Sequence, residues 1–237
     1  GFNSQVKPFD DARARQAFAF SLDVDRIISE SLGGALTRAA GFMPLGLPGF
    51  NPELMPTAYN PTRAKELWDQ VLAEKGIAVP EVRMLVHGVT DSLVQMESMW
   101  EETLGIDVVF ALANTNDLRR AIEASKAQLF DFGWVADYPD PQNFLDVLFH
   151  SRATNNFGAF KDGEVDSLLE QARTVADQDL RFELYRKAER RLVDLAAAIP
   201  LWFQKNFALV DPKVRGWSLS AQQVPDFLNV ELDRPLE

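Results

Sequence analysis

Apolar residues recur near helical spacing from Ala12 to Leu32, with Ala17, Phe20, Ile27 and Ile28 among them. Asp10 and Asp11 precede the run, where a helix dipole favours acidic side chains. The pattern predicts one helix over 12–32, stopped by Gly33-Gly34. Glycines and prolines then crowd residues 41–61, which reads as an ordered loop. Asn60-Pro61 opens the next helix, with proline in its first turn, and Gly76 closes it after about Lys75. From there the period switches back and forth. Residues 82–86 read as a strand and 90–104 as a helix with Leu93, Met96, Met99, Trp100 and Leu104 on one face. Residues 106–112 read as a strand, 116–127 as a helix and 129–135 as a strand. Two helices follow, over 164–175 and 180–196, then a strand over 199–210. The tail from Pro212 onward, with Pro225 and Pro235, reads as irregular. Connections of the β-α-β-α-β kind favour a parallel sheet covered by helices, so the fold class is α/β.

Composition narrows the function classes. A chain of 237 residues can bury a core, and its 46% apolar content is that of an ordinary globular protein. The net charge of −11 argues against a nucleic-acid backbone as partner. With no cysteine there is no disulfide, no thiolate metal site and no cysteine nucleophile. No apolar run reaches the roughly 20 residues a membrane helix needs; 195–203 comes nearest and Pro200 interrupts it. The first residues, Gly1-Phe2-Asn3-Ser4-Gln5, have neither the basic start nor the apolar core of a signal peptide. A chain that begins without Met is expected to be a fragment or a processed product.

The candidate chemistry lies in residues 130–144, where an apolar strand runs into Trp134, Asp137, Tyr138 and two prolines before a helix. Ligands of α/β domains sit at the carboxyl ends of strands. The Asp137 carboxylate suits a charge-assisted bond to a cation in a closing cleft; equally, it suits a loop aspartate that bonds local backbone N–H groups. Trp134 reads either as a cleft wall that stacks on a ligand or as core packing at the strand end. Tyr138 can offer its hydroxyl to the cleft. Asp140 and Asn143 are expected to cap the helix around Phe144, and Pro139 and Pro141 to stiffen the loop. Asp137 and Asp140, three residues apart in one loop, make a poor glycosidase pair, because such carboxylates must face each other across a sugar. His87 and His150 are the only histidines and form no metal-ligand spacing. No nucleophile-elbow, P-loop or dinucleotide-binding motif is present. Arg13, Arg15, Arg186, Lys187, Arg190 and Arg191 are expected on solvated helix faces or in ion pairs, and Trp68, Trp100, Trp202 and Trp217 in core packing.

The segment Trp134-Val135-Ala136-Asp137-Tyr138-Pro139-Asp140-Pro141 through Phe144 resembles the W-x-x-D-Y-x-D-P-x-x-F block of the family 5 extracellular solute-binding proteins, the peptide- and nickel-binding receptors of ABC importers. Pro8-Phe9-Asp10-Asp11-Ala12-Arg13-Ala14-Arg15-Gln16-Ala17 is similar to that family's P-F-x-D-x-R-V-R-Q-A block. Tyr59-Asn60-Pro61, Leu104-Gly105-Ile106-Asp107-Val108, Arg181-Phe182-Glu183-Leu184-Tyr185 and Ile199-Pro200-Leu201 resemble further blocks in the same order. Each piece is short, and it is their common order that is specific. The resemblance implies a periplasmic-binding-protein type II-like lobe, with residues 1–211 as the C-terminal ligand-binding lobe and 212–237 as a tail returning to an N-terminal lobe. It implies a non-enzymatic receptor for peptides or a similar small solute, with Asp137 pairing with a ligand α-ammonium and Trp134 and Tyr138 beside it. No cofactor and no metal are expected. The implied partners are the ligand, the N-terminal lobe and an ABC permease, and the implied location is periplasmic or extracellular, with a lipid anchor upstream. The lobe alone is expected to bind weakly, since half the pocket walls would be absent. A second destination stays open: related domains serve as the ligand-sensing half of cytoplasmic transcriptional regulators.

Overall fold

The computed structural model describes residues 1–78, 81–113, 117–205, 207–220 and 224–233. The predicted helix over 12–32 is two helices, α1 (Ala12–Phe20) and α2 (Val24–Ser31). The break follows from local hydrogen bonding. The Ser21 hydroxyl folds back onto the Ala17 carbonyl at 2.7 Å, and Asp23 caps α2 by accepting from the Arg26 N–H at 3.1 Å. A two-residue strand that the periodicity does not predict, β1 (Thr37–Arg38), follows.

Residues 41–60 form the expected ordered loop, and a buried carboxylate organises it. Glu189 accepts the N–H groups of Phe42 and Met43, each at 2.8 Å, from a position only 1% exposed. Burial pushes its pKa up, against the pull of those two N–H donors. Gly41 is required there, since a Cβ would stand 2.4 Å from the Glu189 carboxylate. Helix α3 (Pro61–Lys75) starts as predicted, with Asn60 as cap and proline in the first turn. It ends at Gly76, which takes the left-handed conformation.

The sheet comprises β2 (Glu81–Val86), β3 (Asp107–Leu112) and β4 (Leu129–Phe130), linked through α4 (Asp91–Leu104) and α5 (Leu118–Ser125). Its order is β3-β2-β4, all parallel. The Asn116 start expected for α5 lies outside the described residues. β2 is central, and over residues 84–86 it is buried on both faces. Val82, Met84 and Val86 join a core made with Phe18, Trp68 and Trp100 from α1, α3 and α4, while Leu85 packs on the other face with Leu118, Ile122 and Phe130. Inside the first core, Phe18 meets Phe9, Trp68 and Trp100 at ring separations of 4.8, 5.5 and 5.2 Å.

The strand predicted over 129–135 is shorter. Asp131 still donates to the Leu85 carbonyl at 2.9 Å, the last backbone bond from this segment to β2 among the described residues. Residues 132–136 continue without a ladder partner. Residues 1–3 flank the other side of β4, where Phe2 bridges Leu129 antiparallel.

A second core forms between α6 (Gln142–Phe149), α7 (Gly163–Thr174) and α8 (Gln178–Asp194), with Leu145, Leu169, Tyr185 and Leu192 fully buried. The strand predicted over 199–210 reduces to β5 (Trp202–Phe203), because its partner β1 offers only two residues. The tail is less irregular than expected. Val214–Arg215 pairs with Glu231–Leu232, and Ser218–Leu219 with Pro225–Asp226, both antiparallel. Pro235 lies outside the described residues. Trp68 and Trp100 are core residues as expected, and Trp202 packs half-buried against the same core.

Arg15 is the main departure among the basic residues. Among the described residues it forms no ion pair, and it is not solvated: it is 5% exposed and donates to the carbonyls of Phe9 (2.7 Å), Ala196 (3.0 Å) and Leu195 (2.9 Å). Its guanidinium also lies over the Phe160 ring of the second core. One cation therefore joins the end of α8 to the first core. Arg13 and Arg191 do form the expected ion pairs, with Asp11 and Glu74 and with Asp162 and Glu164. Replacing Arg15 with Met keeps the stem but orphans three carbonyls, and should cost about 3 kcal/mol; urea unfolding of the variant beside the parent measures it.

Candidate functional site

The carboxyl ends of β2 and β4 lie on one edge of the sheet, and the loop leaving β4 forms that edge. Its side chains keep a two-residue alternation beyond the ladder. Trp134 and Ala136 pack half-buried against the second core, while Gly133, Val135 and Asp137 are exposed. Trp134 thus rests on the second core, as the packing reading expects, and is half-buried.

Asn143 holds this loop. It lies in the first turn of α6, 1% exposed, and its side-chain oxygen accepts from the Trp134 indole N–H at 2.8 Å and the Asp137 backbone N–H at 3.3 Å. It is therefore not the helix cap expected from sequence. The α6 end has no side-chain cap at Pro141, and Asp140 instead accepts from the Gln142 N–H at 2.9 Å. Asp140 also receives both arms of the Arg181 guanidinium, at 2.8 and 2.7 Å. Partial burial works against the Asp140 charge, but Arg181 and the Gln142 N–H outweigh it and hold the carboxyl below the usual aspartate range. Arg181 in turn lies 5.0 Å from the centre of the Tyr185 ring, whose hydroxyl burial pushes up to about 12.

The loop is thus tied at Asn143 and Asp140, and Asp137 lies between those ties. Its carboxylate is exposed, and among the described residues no hydrogen bond or ion pair engages it. The alternative of a loop aspartate bonding backbone N–H groups does not describe this side chain; its backbone N–H donates instead, to Asn143. The Tyr138 side chain is 40% exposed and donates to the Gln142 amide oxygen at 2.9 Å, one turn along, instead of being free in the cleft.

Beside the loop lies a cavity of about 410 Å³ at the same sheet edge. Its lining includes His87 after β2, Asp117 at the start of α5, Asp131 and Phe132 after β4, and Phe157. Phe132 bridges this cavity to the Trp134 region, with its ring 5.2 Å from Phe157 and 5.9 Å from Trp134. Phe132 alternates with Trp134 in sequence and was legible as a neighbour. Phe157 arrives from a distant loop and carried no sequence signal. His150 is buried elsewhere, beside Glu170 at 3.3 Å. Among the described residues no group of three or more metal-ligating side chains comes together.

Comparison with known proteins places this geometry in a context. The family profile for bacterial extracellular solute-binding proteins, family 5 (middle region), matches residues 1–156. The oligopeptide-binding protein OppA of Bacillus subtilis is 28% identical over 225 residues, covering 91% of this chain and 41% of OppA. The dipeptide-binding protein of Escherichia coli is 26% identical over 240 residues, covering 98% of this chain and 45% of that protein. Among solved structures, HbpA2 from Haemophilus parasuis superposes with a TM-score of 0.84 at 23% identity, over 99% of this chain and 47% of HbpA2. The chain therefore spans somewhat less than half the length of these relatives. The shared fold is that of the type II periplasmic binding proteins.

Truncating Asn143 to Ala leaves the Trp134 indole and the Asp137 N–H without their acceptor. The expected loss is about 2 kcal/mol, read from thermal or urea unfolding, with a Trp134 indole N–H that exchanges faster with solvent by NMR.

Proposed function

The chain belongs to the bacterial extracellular solute-binding proteins of family 5, and we propose from that membership that its β4–α6 loop is one wall of a solute cleft in an ABC-importer receptor. The solute is a peptide or a similar small molecule with a cationic amine. Asp137 takes the amine, Trp134 forms an apolar floor beside it, and Tyr138, braced on Gln142, borders the opening.

One observation carries this reading: an exposed carboxylate with no partner among the described residues sits on a backbone pinned by Asn143 and Arg181 at the carboxyl edge of a parallel sheet. A fixed carboxylate gains more from an incoming ammonium than a mobile one, because less freedom is lost on binding. The names of the relatives support the peptide class, since they include oligopeptide- and dipeptide-binding proteins.

Residues 1–211 form the C-terminal lobe in this proposal, and 212–237 pack against an N-terminal lobe supplied by the rest of the protein. Phe227 and Leu228 favour that, being 66% and 87% exposed in this chain alone. Closure of the two lobes on the solute presents a joint surface to the permease. The receptor works outside the cytoplasmic membrane, tethered by a lipid anchor upstream of this region.

Calorimetry on the full-length protein tests the site with tri-alanine and its N-acetylated form. Asp137→Asn should weaken tri-alanine binding by about tenfold or more and leave the acetylated peptide, which has no ammonium, unaffected. Equal tri-alanine affinity in parent and variant would remove Asp137 from the site.

A further inference from the structure

Glu189 carries a carboxylate that is buried and, among the described residues, engaged by no ion pair. One of its oxygens accepts both the Phe42 and the Met43 N–H. Those donors open a segment, residues 42–49, that lies along α8 like a strap. The Phe42 ring sits 4.5 Å from that of Phe149, Met43 is fully buried, and Leu47 packs on the same core. At the far end the Gly49 carbonyl accepts from Arg186 Nε at 3.1 Å. Gly49 approaches the binding loop so closely that a Cβ there would stand 2.8 Å from the Phe182 ring and 3.2 Å from the Pro141 ring. Pro141 follows Asp140, the residue that Arg181 grips. The strap thus runs from Glu189 at one end to the backing of the Asp137 loop at the other.

The charged groups around Glu189 are engaged elsewhere. Residues 41–51 carry no ionisable side chain. On α8, Arg186 is bound to Gly49, and Lys187 and Arg190 are exposed. On the helices packed against α8, Asp146 pairs with Arg173, and Asp162 and Glu164 pair with Arg191. Glu170 lies beside His150 and Arg152. Arg15 of α1 is held on three backbone carbonyls. Burial therefore dominates and pushes the Glu189 carboxyl up, while the Met43 and Phe42 N–H groups pull it down without cancelling the effect. The carboxyl binds a proton more tightly under the seated strap than it would in water with the strap open. By linkage, the proton's support for seating is complete below the ordinary glutamate range and is lost as pH rises through the raised value. Asp140 works in the opposite sense, since its carboxyl is held down: its support is present above the ordinary aspartate range and is lost as pH falls through the lowered value.

We infer that Glu189 is a positioning residue: it clasps residues 42–49 as a strap behind the Asp137 loop, and the clasp tightens when Glu189 takes up a proton. A protonated carboxyl keeps a carbonyl oxygen to accept the two N–H groups and no longer holds a charge away from water. A glutamine amide at the same place offers the same oxygen without any charge. The seated strap limits where Pro141 can lie, and through Pro141 it limits the backbone that carries Asp137. The positioning role rests on the cleft reading above and deepens it; the proton link stands apart from that reading.

Hydrogen exchange at the Phe42 and Met43 amides of the full-length protein reads the strap directly. Parent and variant are compared at the same pH, so that the intrinsic exchange rate cancels. At about pH 8 these amides should exchange more slowly in Glu189→Gln than in the parent, and the difference should close as pH falls to about 5, just above the ordinary glutamate value. A parent-to-variant ratio that stays constant over that range overturns the proton link. Two further variants test positioning: Glu189→Leu removes the acceptor, and Arg186→Met frees only the Gly49 end and serves if the first does not fold. Each should speed exchange over residues 42–49 and reduce the calorimetric advantage of tri-alanine over N-acetyl-tri-alanine by about threefold or more, because the contact with the ammonium is what a displaced Asp137 loses. A purely structural role would leave that advantage unchanged. Faster exchange with an unchanged advantage therefore overturns the positioning role, and unchanged exchange in both variants overturns the clasp. A parent that binds neither peptide overturns the cleft reading and the positioning role with it, while the exchange comparison still decides the proton link.

Discussion

Burial of the carboxyl half of β2 on both faces is the constraint from which the rest of the architecture follows. A strand with Val82, Met84 and Val86 against one helical layer and Leu85 against another cannot slide or flip without exposing one of its cores. Its register fixes β3 over six residue pairs and β4 over two. Parallel order puts the carboxyl ends of the strands on one edge. The last backbone bond between β2 and the β4 segment runs from Asp131 to the Leu85 carbonyl, and the chain leaves the sheet there. The candidate site is the consequence of that exit.

An exit of this kind is useful for binding only if it is held. Two buried or half-buried polar groups do so here, each from an element of the second core. Asn143 in α6 takes the Trp134 and Asp137 N–H groups, and Arg181 in α8 grips Asp140 on the far side. Arg15 then locks the end of α8 to α1 through backbone carbonyls. The two cores are thereby coupled through polar contacts, and the exposed Asp137 carboxylate inherits its position from both. The aromatic run Phe157, Phe132 and Trp134 continues the same edge into the neighbouring cavity, so that apolar surface and carboxylates alternate along one wall.

Much of this was legible in the residues. The repeating β-α-β-α-β unit, the α3 start at Asn60-Pro61, its stop at Gly76 and the buried face of α4 follow from periodicity and caps. So did the location of the loop and its family resemblance. What failed was set by partners distant in sequence. The helix over 12–32 breaks because Ser21 and Asp23 satisfy backbone groups locally, and such residues serve equally in a helix interior or at a cap. The strands over 129–135 and 199–210 end early because their partners run out, which strand propensity cannot register. Asn143 looks like a cap in sequence and proves to be the tie of the loop, since what an amide bonds depends on which side chains fold against it. Phe157 joins the cavity only through the fold.

The central claim is that a solute's amine is received on the β4–α6 loop at Asp137. A crystal structure of the full-length protein with tri-alanine bound tests this most directly. The account predicts the peptide ammonium within hydrogen-bond distance, about 3 Å, of the Asp137 carboxylate, with the peptide lying along Trp134. A peptide bound elsewhere, with no contact to residues 131–143, would contradict it.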